Sequence, residues 1–155
     1  MTIPIKLDHI VLDNRAREWC RLPYPDHPRG CPNYDYKPTC PPQVCFIEQF
    51  IDLTKPVWAI VEPFDLYAHI SRLRLTHPDW SERQLKCVLY WQGGVNKRLD
   101  IGCQEMVSEV GGVYTICPEA MGVDVIHTIK RTGLPIKPRP VGWVFKVGLV
   151  GSKAG

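Results

Sequence analysis

Residues 20–45 constrain the chain most. They hold seven prolines (Pro23, Pro25, Pro28, Pro32, Pro38, Pro41 and Pro42) and four cysteines (Cys20, Cys31, Cys40 and Cys45). Proline fixes φ and carries no amide hydrogen, so this density excludes a regular helix and a central strand. A long stretch of that kind inside a compact domain needs something to order it. A metal held by its cysteines would supply that order.

The cysteine count points the same way. The chain has 7 cysteines, an odd number, so a disulfide framework is a poor explanation. The first residues, Met1-Thr2-Ile3-Pro4-Ile5-Lys6, lack a charged segment followed by an apolar one. A signal peptide is not expected, and a cytoplasmic location with reduced thiols is. The length of 155 residues fits one domain, 1–155, with residues 20–45 as a Cys/Pro-rich metal-binding loop and 46–150 as an α/β body. Hydrophobic residues at 45% against 23% charged match a globular chain that builds its own core. No apolar run is long enough for a bilayer, so no membrane partner is expected. The net charge of +3 is spread along the chain in short clusters such as Lys97-Arg98 and Lys130-Arg131. A dedicated nucleic-acid binder would show a denser patch, which disfavours that partner.

The body reads as α/β (α+β), a single small domain with a mixed, few-stranded sheet and helices. Residues 3–12 read as a strand or extended arm and 43–53 as holding a short helix. Pro56-Val57-Trp58-Ala59-Ile60-Val61 reads as a buried strand. The spacing of Leu66, Tyr67, Ile70, Leu73 and Leu75 predicts a helix over 65–75, stopped by Pro78. Ser81 with Gln84 three residues on predicts a capped helix start, running to about Trp91. Gly93-Gly94 is expected to break it, with a further helix over 96–110 ended by Gly111-Gly112. Val113 to Ile116 reads as a short strand, 121–132 as a helix closed by Gly133, and 141–150 as a final strand.

The chemistry lies in Cys20-x10-Cys31-Pro32-x7-Cys40-Pro41-Pro42, with Cys45 close behind and Cys117-Pro118 far downstream. Thiolates are soft ligands that select zinc, copper(I) or iron–sulfur clusters. A proline after a ligand removes one amide and restricts the cysteine before it, and the bacterial ferredoxin run ends in the same pair. Structural zinc sites usually bring their ligands in close pairs, and Cys40 and Cys45 are the one approach to such a pair here. Widely spaced cysteines with a distant fourth suit a larger cluster. Cys117, expected between a strand and a helix, would gain from amides near the helix start. The ligand set is therefore Cys20, Cys31, Cys40 and Cys117, holding a [4Fe-4S] cluster, with Zn2+ as the alternative.

Other residues carry weaker readings. Cys87 lies beside Val88 and Leu89 in an apolar helical pattern and reads as core. Cys103 reads similarly, with a place at the site as the alternative, and Cys45 is even between core and ligand. His27 reads as a loop histidine rather than a ligand, and His127 as a surface or core residue. His9, His69 and His77 have no identifiable partner. Tyr90-Trp91-Gln92-Gly93-Gly94-Val95-Asn96-Lys97-Arg98 joins aromatics, a glycine pair and two cations at a helix start. An anionic small molecule near Lys97 and Arg98 is one reading, but the stretch lacks a phosphate-loop or dinucleotide pattern, and a solvated helix corner is favoured. Lys137-Pro138-Arg139-Pro140 reads as an extended linker. No Ser-His-Asp set or paired carboxylates can be assigned.

Cys31-Pro32-Asn33-Tyr34, Thr39-Cys40-Pro41-Pro42 and Cys117-Pro118-Glu119-Ala120-Met121-Gly122-Val123-Asp124-Val125, with Gly133-Leu134-Pro135-Ile136 and the terminal strand, resemble the predicted metal-binding proteins of the domain-of-unknown-function 2284 family. The resemblance implies cysteine ligation, of a cluster rather than a single ion, and no particular reaction. The chain has no C-x-x-C pair, so one cluster is implied and not two. The expectation is a small iron–sulfur protein in electron transfer or cluster-dependent redox or sulfur-transfer chemistry, with a redox partner protein. A structural zinc module that mediates protein or nucleic-acid contact ranks second, and a metal-free thiol protein third.

Overall fold

The computed structural model describes residues 2–21, 30, 35, 38, 41, 43–137 and 142–155, and at 19–21 the backbone alone. In chain order the elements are β1 (Ile3–Leu7), a 3-10 helix (Asn14–Arg21), α1 (Ile47–Phe50), β2 (Val57–Asp65), α2 (Leu66–Thr76) and α3 (Glu82–Leu85). A 3-10 turn (Val88–Tyr90), α4 (Gln92–Val110), β3 (Val113–Thr115), a second 3-10 turn (Pro118–Met121), α5 (Val125–Lys130) and β4 (Trp143–Gly151) follow. The strands form one antiparallel sheet in the order β1-β2-β4-β3. The α+β class holds.

Alternation along the two central strands explains why both faces of the sheet are covered. Val57, Ala59 and Val61 of β2 and Val147 and Leu149 of β4 point into one core, with Ile47, Ile51, Val123 and Ile129. Ile60 and Val150 point the other way, onto α4. A strand rises with side chains on alternate faces, so adjacent residues feed opposite layers. α4 meets the sheet through Val95, Leu99, Cys103 and Met106, the i, i+4, i+8, i+11 stripe of an amphipathic helix. Gly148 of β4 permits this close approach, because a Cβ there would sit 2.7 Å from the Cys103 sulfur. A third, smaller core of Leu66, Ile70 and Leu85 holds α2 and α3, with Phe64 stacked on Trp91.

Several element bounds differ from the sequence reading, each for a local reason. β2 runs on to Asp65, which then caps α2 by accepting the Ala68 amide at 2.9 Å. Ser81 and Gln84 form the expected capping box, but α3 stops at Leu85 and the chain turns through Val88–Tyr90. Gly93-Gly94 does not break a helix. It forms the first turn of α4, where Gly93 meets open space and the buried stripe from Val95 onward fixes the helix. The last helix begins at Val125 rather than Met121, because Gly122 is left-handed (φ 92°) and Asp124 is the cap. Among the described residues, no helix is long and apolar enough to cross a membrane.

Candidate functional site

The helix that carries Cys20, residues 43–45 and the Cys117 turn meet at one end of the fold. Residues 11–13 run antiparallel to 122–124, with the Asp13 amide donating to the Gly122 carbonyl and the Asp124 amide to the Val11 carbonyl, both at 2.8 Å. This bridge lays the Asn14–Arg21 helix, which carries Cys20, against the Pro118–Met121 turn that follows Cys117. Arg17 of the same helix is buried, donates to the Val44 carbonyl and lies 4.2 Å from the centre of the Phe46 ring. That contact anchors the chain on both sides of Cys45. Upstream, the Asp35 amide donates to the Pro41 carbonyl at 2.6 Å, and Gln43 donates to the Asp35 carbonyl at 2.8 Å. These bonds tie Asp35 to Pro41 and Gln43.

An open cavity of about 590 Å³ lies here. Pro38, Val44, Cys45, Phe50, Ile116, Cys117 and Met121 line it. The Cys117 backbone is fixed by its amide, which donates to the Thr115 hydroxyl at 3.1 Å, and by Pro118 behind it. The amides expected at a helix start are those of a four-residue 3-10 turn instead. Cys117 is half-buried and Cys45 exposed, so both thiols are within reach of a guest in the cavity.

A polar cluster around Asp100 and Tyr114 forms part of the cavity lining. The Tyr114 hydroxyl donates to Asp100 Oδ1 at 2.8 Å, and Gln104 Nε2 donates to Asp100 Oδ2 at 2.8 Å. The Gln104 amide near the phenol oxygen favours the phenolate. The Asp100 carboxylate that accepts the hydroxyl proton, burial and the Asp100 charge outweigh it, and the net shift of the Tyr114 pKa is upward. The phenol therefore keeps its proton at neutral pH.

Of the expected ligands, Cys117 lines this cavity and Cys20 lies on the adjoining helix, though its side chain is outside the description. Cys31, Cys40 and His27 lie outside the described residues. Among the described residues, no group of three or more His, Cys, Asp or Glu side chains is close enough to hold a metal ion. Cys45, weighed evenly between core and ligand, faces the cavity. Cys87 is half-buried at the start of the Val88–Tyr90 turn. Cys103 is core: fully buried, it packs with Ile60, Leu99 and Val150 and is not part of the cavity lining. Lys97 and Arg98 are exposed, as a solvated helix corner requires, and the Arg98 Nε also donates to the buried carboxylate of Glu62 at 2.9 Å. His127 is on the surface and pairs with Asp124 at 2.7 Å. His69 is buried against Phe64, and burial, with Arg72 nearby, lowers its pKa and keeps it neutral. His77 stacks on Trp80.

The contrast between the thiols gives a direct expectation. Burial, with the nearby Asp100 charge, pushes the Cys103 thiol from 9.0 up to about 12. In the native protein, iodoacetamide at mildly alkaline pH is expected to alkylate Cys45 and leave Cys103 intact, as mapped by peptide mass spectrometry. The folded pKa lies above the unfolded one, so the thiol's contribution to stability is complete below 9 and is lost as pH rises toward about 12. Midpoints of urea denaturation measured across that range should fall, and a Cys103→Ser chain should lose this component of the fall.

No family model, curated protein or solved structure matches this chain.

Proposed function

We propose that this chain is a small iron–sulfur protein that holds one [4Fe-4S] cluster through Cys20, Cys31, Cys40 and Cys117. The observation that carries the reading is the shared cavity: Cys117 faces the same space as Pro38 and Cys45, although more than seventy residues separate it from them. The Asn14–Arg21 helix beside it supplies Cys20. Thiols are the donors that a cluster takes, so the donor chemistry of the cavity wall fits the group. Cys45, outside this ligand set, is the second thiol of the described cavity lining.

A bound cluster would supply one-electron chemistry at this end of the fold. The chain's own residues would hold it and limit its contact with water. Arg17 pins the Val44–Phe46 turn, Thr115 fixes the Cys117 backbone, and Val44, Phe50, Ile116 and Met121 form the apolar wall. A low-dielectric wall and the hydrogen bonds around the sulfurs are the levers that set a cluster's potential. The implied partner is a redox protein that approaches this end. An anionic small molecule near Lys97 and Arg98 is the weaker partner, because Arg98 already serves Glu62.

Anaerobic purification with iron, sulfide and zinc analysis of one sample tests the reading. Broad absorption near ~400 nm with about four irons and four sulfides per chain is expected. A colourless protein with about one zinc makes the chain a structural zinc module instead.

A further inference from the structure

We propose that the cavity beside Cys45 and Cys117 is also a binding site for a small organic cation, a primary ammonium on a short alkyl body, with Asp100 as its counter-ion. The cavity's volume of about 590 Å³ lies within the range of sites that enclose whole small molecules. Its described lining holds one fixed charge, Asp100, and no lysine, arginine or histidine. Tyr114 and Gln104 each donate to one carboxylate oxygen, which sets the plane of the carboxylate. Each of those oxygens keeps a further lone pair, and the Tyr114 hydroxyl has spent its one proton on Asp100. This end of the cavity therefore has acceptors and negative charge to offer. An ammonium group supplies three donors and the opposite charge, and charge-assisted hydrogen bonds are the strong ones.

The rest of the wall selects the body of the guest. Val44, Phe50, Ile116 and Met121 are apolar and suit methylene groups, not a second charge. A carboxylate guest would meet Asp100 as a like charge, and a neutral alcohol would gain the same apolar contact without the ion pair. The alkyl body would lie along these side chains, in the same cavity that Cys45 and Cys117 line. The identity of that wall as metal-bearing rests on the cluster reading, whereas the charge of the guest follows from the side chains alone.

The test uses the full chain, purified without oxygen, and calorimetric titration with n-butylammonium, n-butanol and butyrate. Butylammonium is expected to bind saturably and about tenfold or more tighter than butanol, with butyrate weakest. Asp100→Asn keeps the size of the side chain and should bring butylammonium to within about twofold of butanol. Its iron and sulfide content should match that of the unaltered chain. Equal affinity for the three probes, tighter binding of butyrate, no saturable binding of butylammonium, or an undiminished preference in Asp100→Asn overturns the assignment. The three-probe comparison on the unaltered chain decides the point even where the variant is not recovered. Ammonium binding by a chain with no iron upholds this site and sinks the cluster reading. An iron-loaded chain with no ammonium preference does the reverse.

Discussion

On the proposed cluster reading, Cys117→Ala is expected to lower iron from about four per chain to fewer than about one, while Cys87→Ala keeps the full complement. The two residues make a fair pair because both thiols are half-buried. They differ in surroundings. Cys117 faces the cavity shared with Pro38 and Cys45, and Cys87 opens the Val88–Tyr90 turn beside the small third core. Cys20, Cys31, Cys40 and Cys117 would hold the proposed cluster, and loss of one thiolate would weaken its retention. Cys20→Ala, Cys31→Ala and Cys40→Ala should behave like Cys117→Ala. Iron and acid-labile sulfide per chain, with the visible absorption of the same sample, provide the readout. Equal iron in the Cys117→Ala and Cys87→Ala proteins would sink the ligand set. Cys45→Ala decides whether the fifth thiol substitutes for one of the four. Retained iron there makes Cys45 a neighbour of the cluster, and lost iron makes it a ligand.

The parts of the fold that a single residue type dictates were legible in the sequence. Ser81 with Gln84 announced its capping box, Gly133 its left-handed turn at φ 91°, and the apolar run before Pro63 a buried strand. Where two local signals competed, tertiary packing chose. Gly93-Gly94 reads as a break until the Val95, Leu99, Cys103, Met106 stripe is laid against the sheet, where burial outweighs the low helix propensity of two exposed glycines. Gly122 with Asp124 two residues on is a stop followed by a cap, and it moves the last helix start by one turn. One residue of the cavity lining, Cys117, was legible because its Cys-Pro pair is chemically pointed. The polar part of the lining was not. Asp100 and Gln104 lie one helical turn apart on α4, an ordinary solvated pattern, and they meet Tyr114 only because β3 pairs with β4 beneath that helix. Arg17 was missed for the same reason, since its role depends on Val44 and Phe46, which the fold brings across 27 residues.

That dependence of the cavity on β3 makes Gly112 a sensitive position. Gly112 has φ 95°, and a Cβ there would fall 2.1 Å from the Gly151 carbonyl oxygen. The obstructing atom is backbone on β4, whose neighbour Val113 pairs with Gly151 in the sheet, so no side-chain rotation relieves the clash. Gly111 is the control, with φ 76° and nothing within 4 Å of its added Cβ. Gly111→Ala should therefore show the conformational penalty alone, about 1–3 kcal/mol. Gly112→Ala should exceed it by a further ~1–3 kcal/mol, the usual range for forcing an extra carbon into packed surroundings. Urea denaturation of the two variants beside the parent measures both terms. The excess has a consequence at the site, because the chain relieves the clash by moving β3 off β4. β3 carries Tyr114 and Thr115, so Asp100 would lose its phenol and the Cys117 amide its hydroxyl acceptor. At temperatures where both variants remain folded, Gly111→Ala should retain its iron and its ammonium preference, and Gly112→Ala should lose part of each. Equal destabilisation of the two variants would mean that β3 accommodates the added carbon, and that its pairing with β4 does not hold the cavity wall in place.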